Sequence, residues 1–140
     1  MTTLLEVRDL TVAFVGDRAT REVLSGVSLS VADGEVLGVV GESGSGKSIL
    51  LAAILRLLQP PWRVRGGKVL LRGENLLEQD ERRLTALRGK ELALALSNPR
   101  QHLNPILTIG RQLSDVIRAH RPMPHAAALA AAVELLKSVN

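Results

Sequence analysis

Cysteine and tyrosine are absent from the 140 residues, and Phe14 and Trp62 are the only aromatic side chains. Without cysteine there is no disulfide framework and no thiolate metal site, which fits a reducing compartment. With so few rings, the core has to be built from Leu, Val, Ile and Ala, and the chain is long enough for one domain with such a core. Long apolar runs are missing too: Arg56 interrupts the stretch 50–58, Pro60-Pro61 stop it, and nothing approaches the roughly 18–20 apolar residues that span a bilayer. Glu6, Arg8 and Asp9 break up the first apolar stretch, so no secretory signal pattern is present. The formal charge is +4, but bases and acids are interleaved, as in Glu81-Arg82-Arg83. The densest basic stretch, Trp62 to Lys68, reads as a solvated turn, with contact to a nucleotide or an acidic membrane surface as the alternative, and no nucleic-acid partner is expected. His102, His120 and His125 lack metal-ligand spacing and read as exposed polar residues.

What the chain does contain is concentrated at Gly41-Glu42-Ser43-Gly44-Ser45-Gly46-Lys47-Ser48. This is the phosphate-binding loop pattern G-x-x-x-x-G-K-[ST]. Its glycines allow the backbone to wrap a polyphosphate with successive N–H groups turned inward. Lys47 would neutralise the β- and γ-phosphates and the Ser48 hydroxyl would ligate Mg²⁺. The pattern requires a strand before it and a helix after it. Glu35 to Val40 reads as a short apolar strand of the kind buried in a parallel sheet, and Ile49 to Leu55 as a helix whose N-terminus lies under the phosphates. The bland alternative is a Gly/Ser-rich turn without a ligand.

Around this motif the pattern predicts an α/β domain. Leu4–Phe14 and Val23–Val31 alternate as strands joined by a polar turn at 16–21, forming an N-terminal antiparallel hairpin, and Ala32-Asp33-Gly34 is the next turn. Beyond the Pro60-Pro61 loop come a strand at 68–72, a turn at 73–75, a short helix at 80–87 ending at Gly89, and a second buried strand at 91–96. A proline-bracketed loop at 97–105, a helix at 109–119, breaks at Pro122 and Pro124 and an Ala/Leu-rich helix at 125–139 complete the chain. Trp62 reads as a surface anchor or as a lid over local core, and the sequence does not choose between them.

The layout resembles the ATP-binding cassette ATPases that drive membrane transporters, in particular the oligopeptide, dipeptide and nickel importer type. The resemblance rests on the block Gly38 to Ser48, the turn Ala32-Asp33-Gly34-Glu35 before it, and the segment Ser97 to Pro105 with its Leu103-Asn104-Pro105 ending. It covers nearly the whole chain. It implies a P-loop NTPase core with an N-terminal antiparallel β-subdomain (1–96) and the start of a helical subdomain (97–140), together an incomplete domain. The cofactors implied are ATP and Mg²⁺. The cofactor-binding residues would be Gly41, Glu42, Ser43, Gly44, Ser45, Gly46, Lys47 and Ser48, with Phe14 stacked on adenine at the end of the first strand. The implied partners are transmembrane permease subunits and a second ATPase subunit, at the cytoplasmic face of the membrane and without a span of its own.

Two departures qualify that likeness. Ser97 stands where the family usually has a glutamine that reaches Mg²⁺ and the attacking water, and a serine is several ångströms shorter; Gln101 reads as a solvated loop side chain. The Leu-Ser-Gly-Gly signature, the strand ending in Asp-Glu and the switch histidine do not occur in these residues, so no catalytic side chain beyond the charge of Lys47 is expected and little turnover from this chain alone. The alternatives are a truncated, non-catalytic remnant that binds nucleotide weakly or not at all, and an unrelated P-loop kinase or GTPase, against which the leading hairpin argues. Half a sheet would also leave edges and apolar faces open to association.

Overall fold

The computed structural model describes residues 2–17, 19–95 and 102–139. They fall into two compact units, Met1–Arg88 and Gly89–Asn140.

The first unit is built on a four-stranded antiparallel sheet in the order β2-β1-β3-β4. Its strands are β1 (Thr3–Val15), β2 (Thr20–Ala32), β3 (Trp62–Leu71) and β4 (Glu74–Asn75). The alternation in the first two segments yields the expected hairpin, tied at its turn by the Gly16 N–H donating to the Ala19 carbonyl oxygen at 3.1 Å. Strand β1 is central and buries Val7, Leu10, Val12 and Ala13. Its two-residue period slips at Asp9, which has φ 47°. There the Asp9 N–H leaves the ladder and donates to Ser28 Oγ at 2.8 Å. The register shifts on both sides of this bulge. Opposite it sits Gly67, with φ +95°, where a Cβ would lie 2.6 Å from the Arg8 and Asp9 carbonyl oxygens and the Leu10 Cα. Only glycine fits so close an approach of two backbones.

The stretch Trp62–Lys68, expected to be a turn, is the first part of β3. Pairing with β1 satisfies the backbone groups on that edge, while Arg63, Arg65 and Lys68 stay exposed. Sheet pairing therefore outweighs the local charge pattern that suggested a loop. Helix α1 (Lys47–Ile54) buries Leu50, Ala53 and Ile54. It starts two residues earlier than the apolar run suggests and ends before Arg56, which is left-handed with φ 51°. The carbonyl groups at its end are met by Arg88, whose guanidinium donates to the Leu55 and Arg56 carbonyl oxygens at 3.0–3.1 Å. A 3₁₀ turn at Leu76–Glu78 and helix α2 (Glu81–Leu87) add Leu76, Leu84 and Leu87 to the core. Asp80 caps α2 by accepting from the Arg83 N–H at 2.7 Å, as Asp does at N-cap positions.

Two expected strands are not formed. Residues 35–40 run without ladder partners, with Val36 and Val40 each 95% exposed. Residues 91–95 likewise make no strand, and Leu96 lies outside the described residues. An apolar run becomes a buried parallel strand only when neighbours supply hydrogen bonds on both edges and cover on both faces. Among the described residues nothing supplies these for 35–40.

The second unit pairs helices α3 (Ile109–His120) and α4 (His125–Ser138), close to their expected bounds. Small residues mark the close approach: Ser114, Ala128 and Ala132 are buried, and a Cβ on Gly110 would sit 3.0 Å from Leu129 Cδ1. Ser114 Oγ is satisfied by donating to the Gly110 carbonyl oxygen at 2.6 Å. Thr108 caps α3 by accepting from the Arg111 N–H. Gln112 stitches the preceding Leu103-Asn104-Pro105 turn to α3, its amide donating to the Asn104 and Leu107 carbonyl oxygens and accepting from the Asn104 N–H. No described helix is long and apolar enough to cross a membrane.

Candidate nucleotide site

The loop from Gly41 to Gly46 leads directly into α1, and its geometry follows from its glycines. Gly44 and Gly46 have φ of +82° and +94°, a region that L side chains rarely adopt. Gly46 is also where the loop touches the sheet, since a Cβ there would lie 2.8 Å from Leu24 Cδ2. Gly46 is the N-cap of α1 and offers no side-chain acceptor, and the helix has no acidic residue in its first turn. The N–H groups at that end are thus left for an external acceptor, at the positive end of the helix dipole.

Lys47 folds back across the loop. Its ammonium donates to the Gly41 carbonyl oxygen at 2.7 Å, to the Glu42 carbonyl oxygen at 2.6 Å and to Ser45 Oγ at 3.1 Å. The Ser45 N–H in turn donates to the Glu42 carbonyl oxygen at 3.2 Å. The charge is held over the loop by weak neutral acceptors, without an ion pair, which suits a cation that exchanges these partners for an anion. Ser43, Gly44, Lys47 and Ser48 border one cleft of about 350 Å³. Ser48 is exposed there, and its hydroxyl oxygen is of the donor type a hard cation such as Mg²⁺ takes.

A second cleft of about 540 Å³ is bordered by Phe14, Trp62, Arg21, Glu22, Gly44 and Ser45. The structure therefore brings Phe14 next to the glycine loop. Phe14 is 38% exposed and pairs in register with Trp62 on one side and Arg21 on the other. The two rings meet edge to face, with centroids 5.2 Å apart and planes at 74°. Trp62 borders both clefts. The sequence left its place open because cross-strand register is invisible in a local pattern. Ser97 and Gln101 lie outside the described residues. No cluster of three or more His, Asp or Glu side chains suited to a metal occurs among the described residues.

A family model described as ABC transporter matches residues 24–139. A probable peptide ABC transporter ATP-binding protein of Sinorhizobium fredii is 42% identical over 98% of the chain, and the chain covers 41% of it. The oligopeptide transport ATP-binding protein OppD of Bacillus subtilis is 37% identical over the whole chain, which covers 39% of that protein. The chain thus spans about two fifths of the length of these relatives. Among solved structures, the ATP-binding cassette MJ0796 in a dimeric post-hydrolysis state bound to ADP and Pi superposes with a TM-score of 0.76. It is 24% identical, and the match covers 96% of this chain and 56% of the cassette. That likeness supports the expected fold, an incomplete α/β P-loop domain with an antiparallel N-terminal subdomain.

Proposed function

The chain belongs to the ABC transporter family, and from that premise we propose that its residues 41–48 bind the triphosphate of Mg-ATP as the ATP-binding part of a peptide importer. In this reading the loop N–H groups and the start of α1 hold the phosphates, Lys47 exchanges its carbonyl partners for β- and γ-phosphate oxygens, and Ser48 ligates Mg²⁺. Phe14 lies against adenine. The observation that carries the reading is the placement of Lys47 over an uncapped helix N-terminus at the end of a positive-φ glycine loop.

Relatives described as peptide and oligopeptide transport proteins support peptides or related small solutes as the cargo. Permease subunits and a second ATPase subunit follow as partners, and the cytoplasmic face of the membrane as the place of work. Hydrolysis by these residues alone is expected to be slight, since the signature, acidic strand end and switch histidine are not among them.

The test is calorimetric titration of the chain with Mg-ATP and with inorganic tripolyphosphate. Both bind, and Lys47→Ala weakens both by about tenfold to a hundredfold, the scale of hydrogen bonds to a charged group. Unchanged affinity in the Lys47 variant would remove the site assignment. Absence of binding in the folded wild-type chain would favour the non-binding remnant.

A further inference from the structure

We propose that Trp62 is a base-recognition residue, forming with Phe14 a two-ring wall that holds a purine; the inference rests on the nucleotide reading above. Both aromatic rings of the chain sit at one place, on register-paired residues of β1 and β3. Two rings 48 residues apart in sequence (62 − 14) meet there because the strands pair, not because the core needs them. Trp62 is only half-buried and Phe14 is exposed. Trp62 borders both open clefts, so part of its ring is within reach of a ligand in either one.

The position is also rigid. The Trp62 N–H donates to the Gln59 carbonyl oxygen at 2.9 Å, and the Val15 N–H donates to the Pro61 carbonyl oxygen at 2.9 Å. The first closes the turn that leads into β3, and the second ties the end of β1 to the residue before β3. The edge-to-face contact uses one ring's edge and the other's face, so part of the aromatic surface remains turned to the clefts. The cleft that holds both rings shares Trp62, Val23 and Gly44 with the cleft that holds Lys47 and Ser48. Trp62 therefore stands where the phosphate and base ends of one ligand would join. Two preorganised rings give a purine more stacking area than a pyrimidine.

The experiment exploits Trp62 being the only tryptophan. The chain is titrated with Mg-ATP, Mg-CTP and inorganic tripolyphosphate, following tryptophan emission in the wild type and heat in Trp62→Ala and Trp62→Phe. The expected result is that ATP changes the emission strongly, CTP less and tripolyphosphate little. Trp62→Ala lowers the ratio of ATP to tripolyphosphate affinity about five- to fiftyfold, the scale of one base–aromatic stack, and Trp62→Phe restores most of it. If Trp62→Ala leaves that ratio unchanged, or weakens both ligands equally, Trp62 is a scaffold residue and the inference falls while the phosphate site stands. Should Trp62→Ala fail to fold, an emission change equal for all three ligands, or a Trp62→Phe chain with no preference for ATP over CTP, overturns the inference. If neither ATP nor tripolyphosphate binds the folded wild type, the nucleotide reading itself has failed.

Discussion

The ammonium of Lys47 donates to the carbonyl oxygen of Gly41 at 2.7 Å, so the last residues of the glycine loop hold its first. Without a ligand, this bond and its neighbour to Glu42 are what tie the loop across its mouth. Lys47→Ala is expected to speed hydrogen exchange at the Ser45 amide several-fold in the absence of nucleotide, leaving the amides of β1 unaffected. An unchanged Ser45 amide would mean that the loop keeps its form through backbone alone.

Ser48 gives a second handle on the same site. In the proposed role its hydroxyl is a ligand of the ATP-bound Mg²⁺. Wild-type affinity for ATP should rise when Mg²⁺ replaces a chelator in the buffer, and Ser48→Ala should lose about tenfold or more of that gain. Calorimetry with and without Mg²⁺ measures it. A variant that keeps the full Mg²⁺ gain removes Ser48 from the metal site.

Gly67 and Gly73 make a matched pair for stability. Both have positive φ, but a Cβ on Gly67 meets three backbone atoms of β1 at 2.6 Å while one on Gly73 meets nothing within 4 Å. Gly73→Ala should cost only the left-handed penalty, about 1–2 kcal/mol. Gly67→Ala must also push β1 and β3 apart at the Asp9 bulge, and should cost about 3 kcal/mol or more. Denaturant midpoints of the two variants separate the contributions. Equal losses would show that β1 yields easily at the bulge.

Two exposed ion pairs add a small acid-sensitive contribution to stability. Hydrogen bonding from Arg83 holds the Glu74 carboxyl below the usual carboxylate range, and Arg8 does the same for Glu6. A carboxyl whose pKa is lowered by folding stabilises fully above its unfolded value, about 4.3. That contribution fades as pH falls through the lower folded value. Because both pairs face solvent, the effect is small and screened by salt. Arg83→Met should therefore flatten the loss of stability as pH falls below the unfolded carboxylate range of about 4.3, as read by urea unfolding at each pH. An identical slope in wild type and variant would mean that Glu74 is equally paired in the unfolded chain.

Local chemistry explains what could be read without a fold. The residues of the phosphate loop are consecutive, and a cradle made of successive backbone N–H groups is written wherever glycines and the Lys-Ser pair occur in order. The hairpin and the bounds of α2, α3 and α4 are similarly short-range. The tertiary structure alone decided three things. Residues 35–40 carry the composition of a buried strand, but strand pairing belongs to the neighbours, and none among the described residues supplies it. The Trp62–Lys68 stretch looks like a charged turn, but the free edge of β1 recruits it as β3. Trp62 comes to face Phe14 because the register of β1 on β3 runs through the bulge at Asp9, whose close approach only Gly67 permits. That register is a sum of long-range hydrogen bonds and backbone contacts, and no window of neighbouring residues contains it.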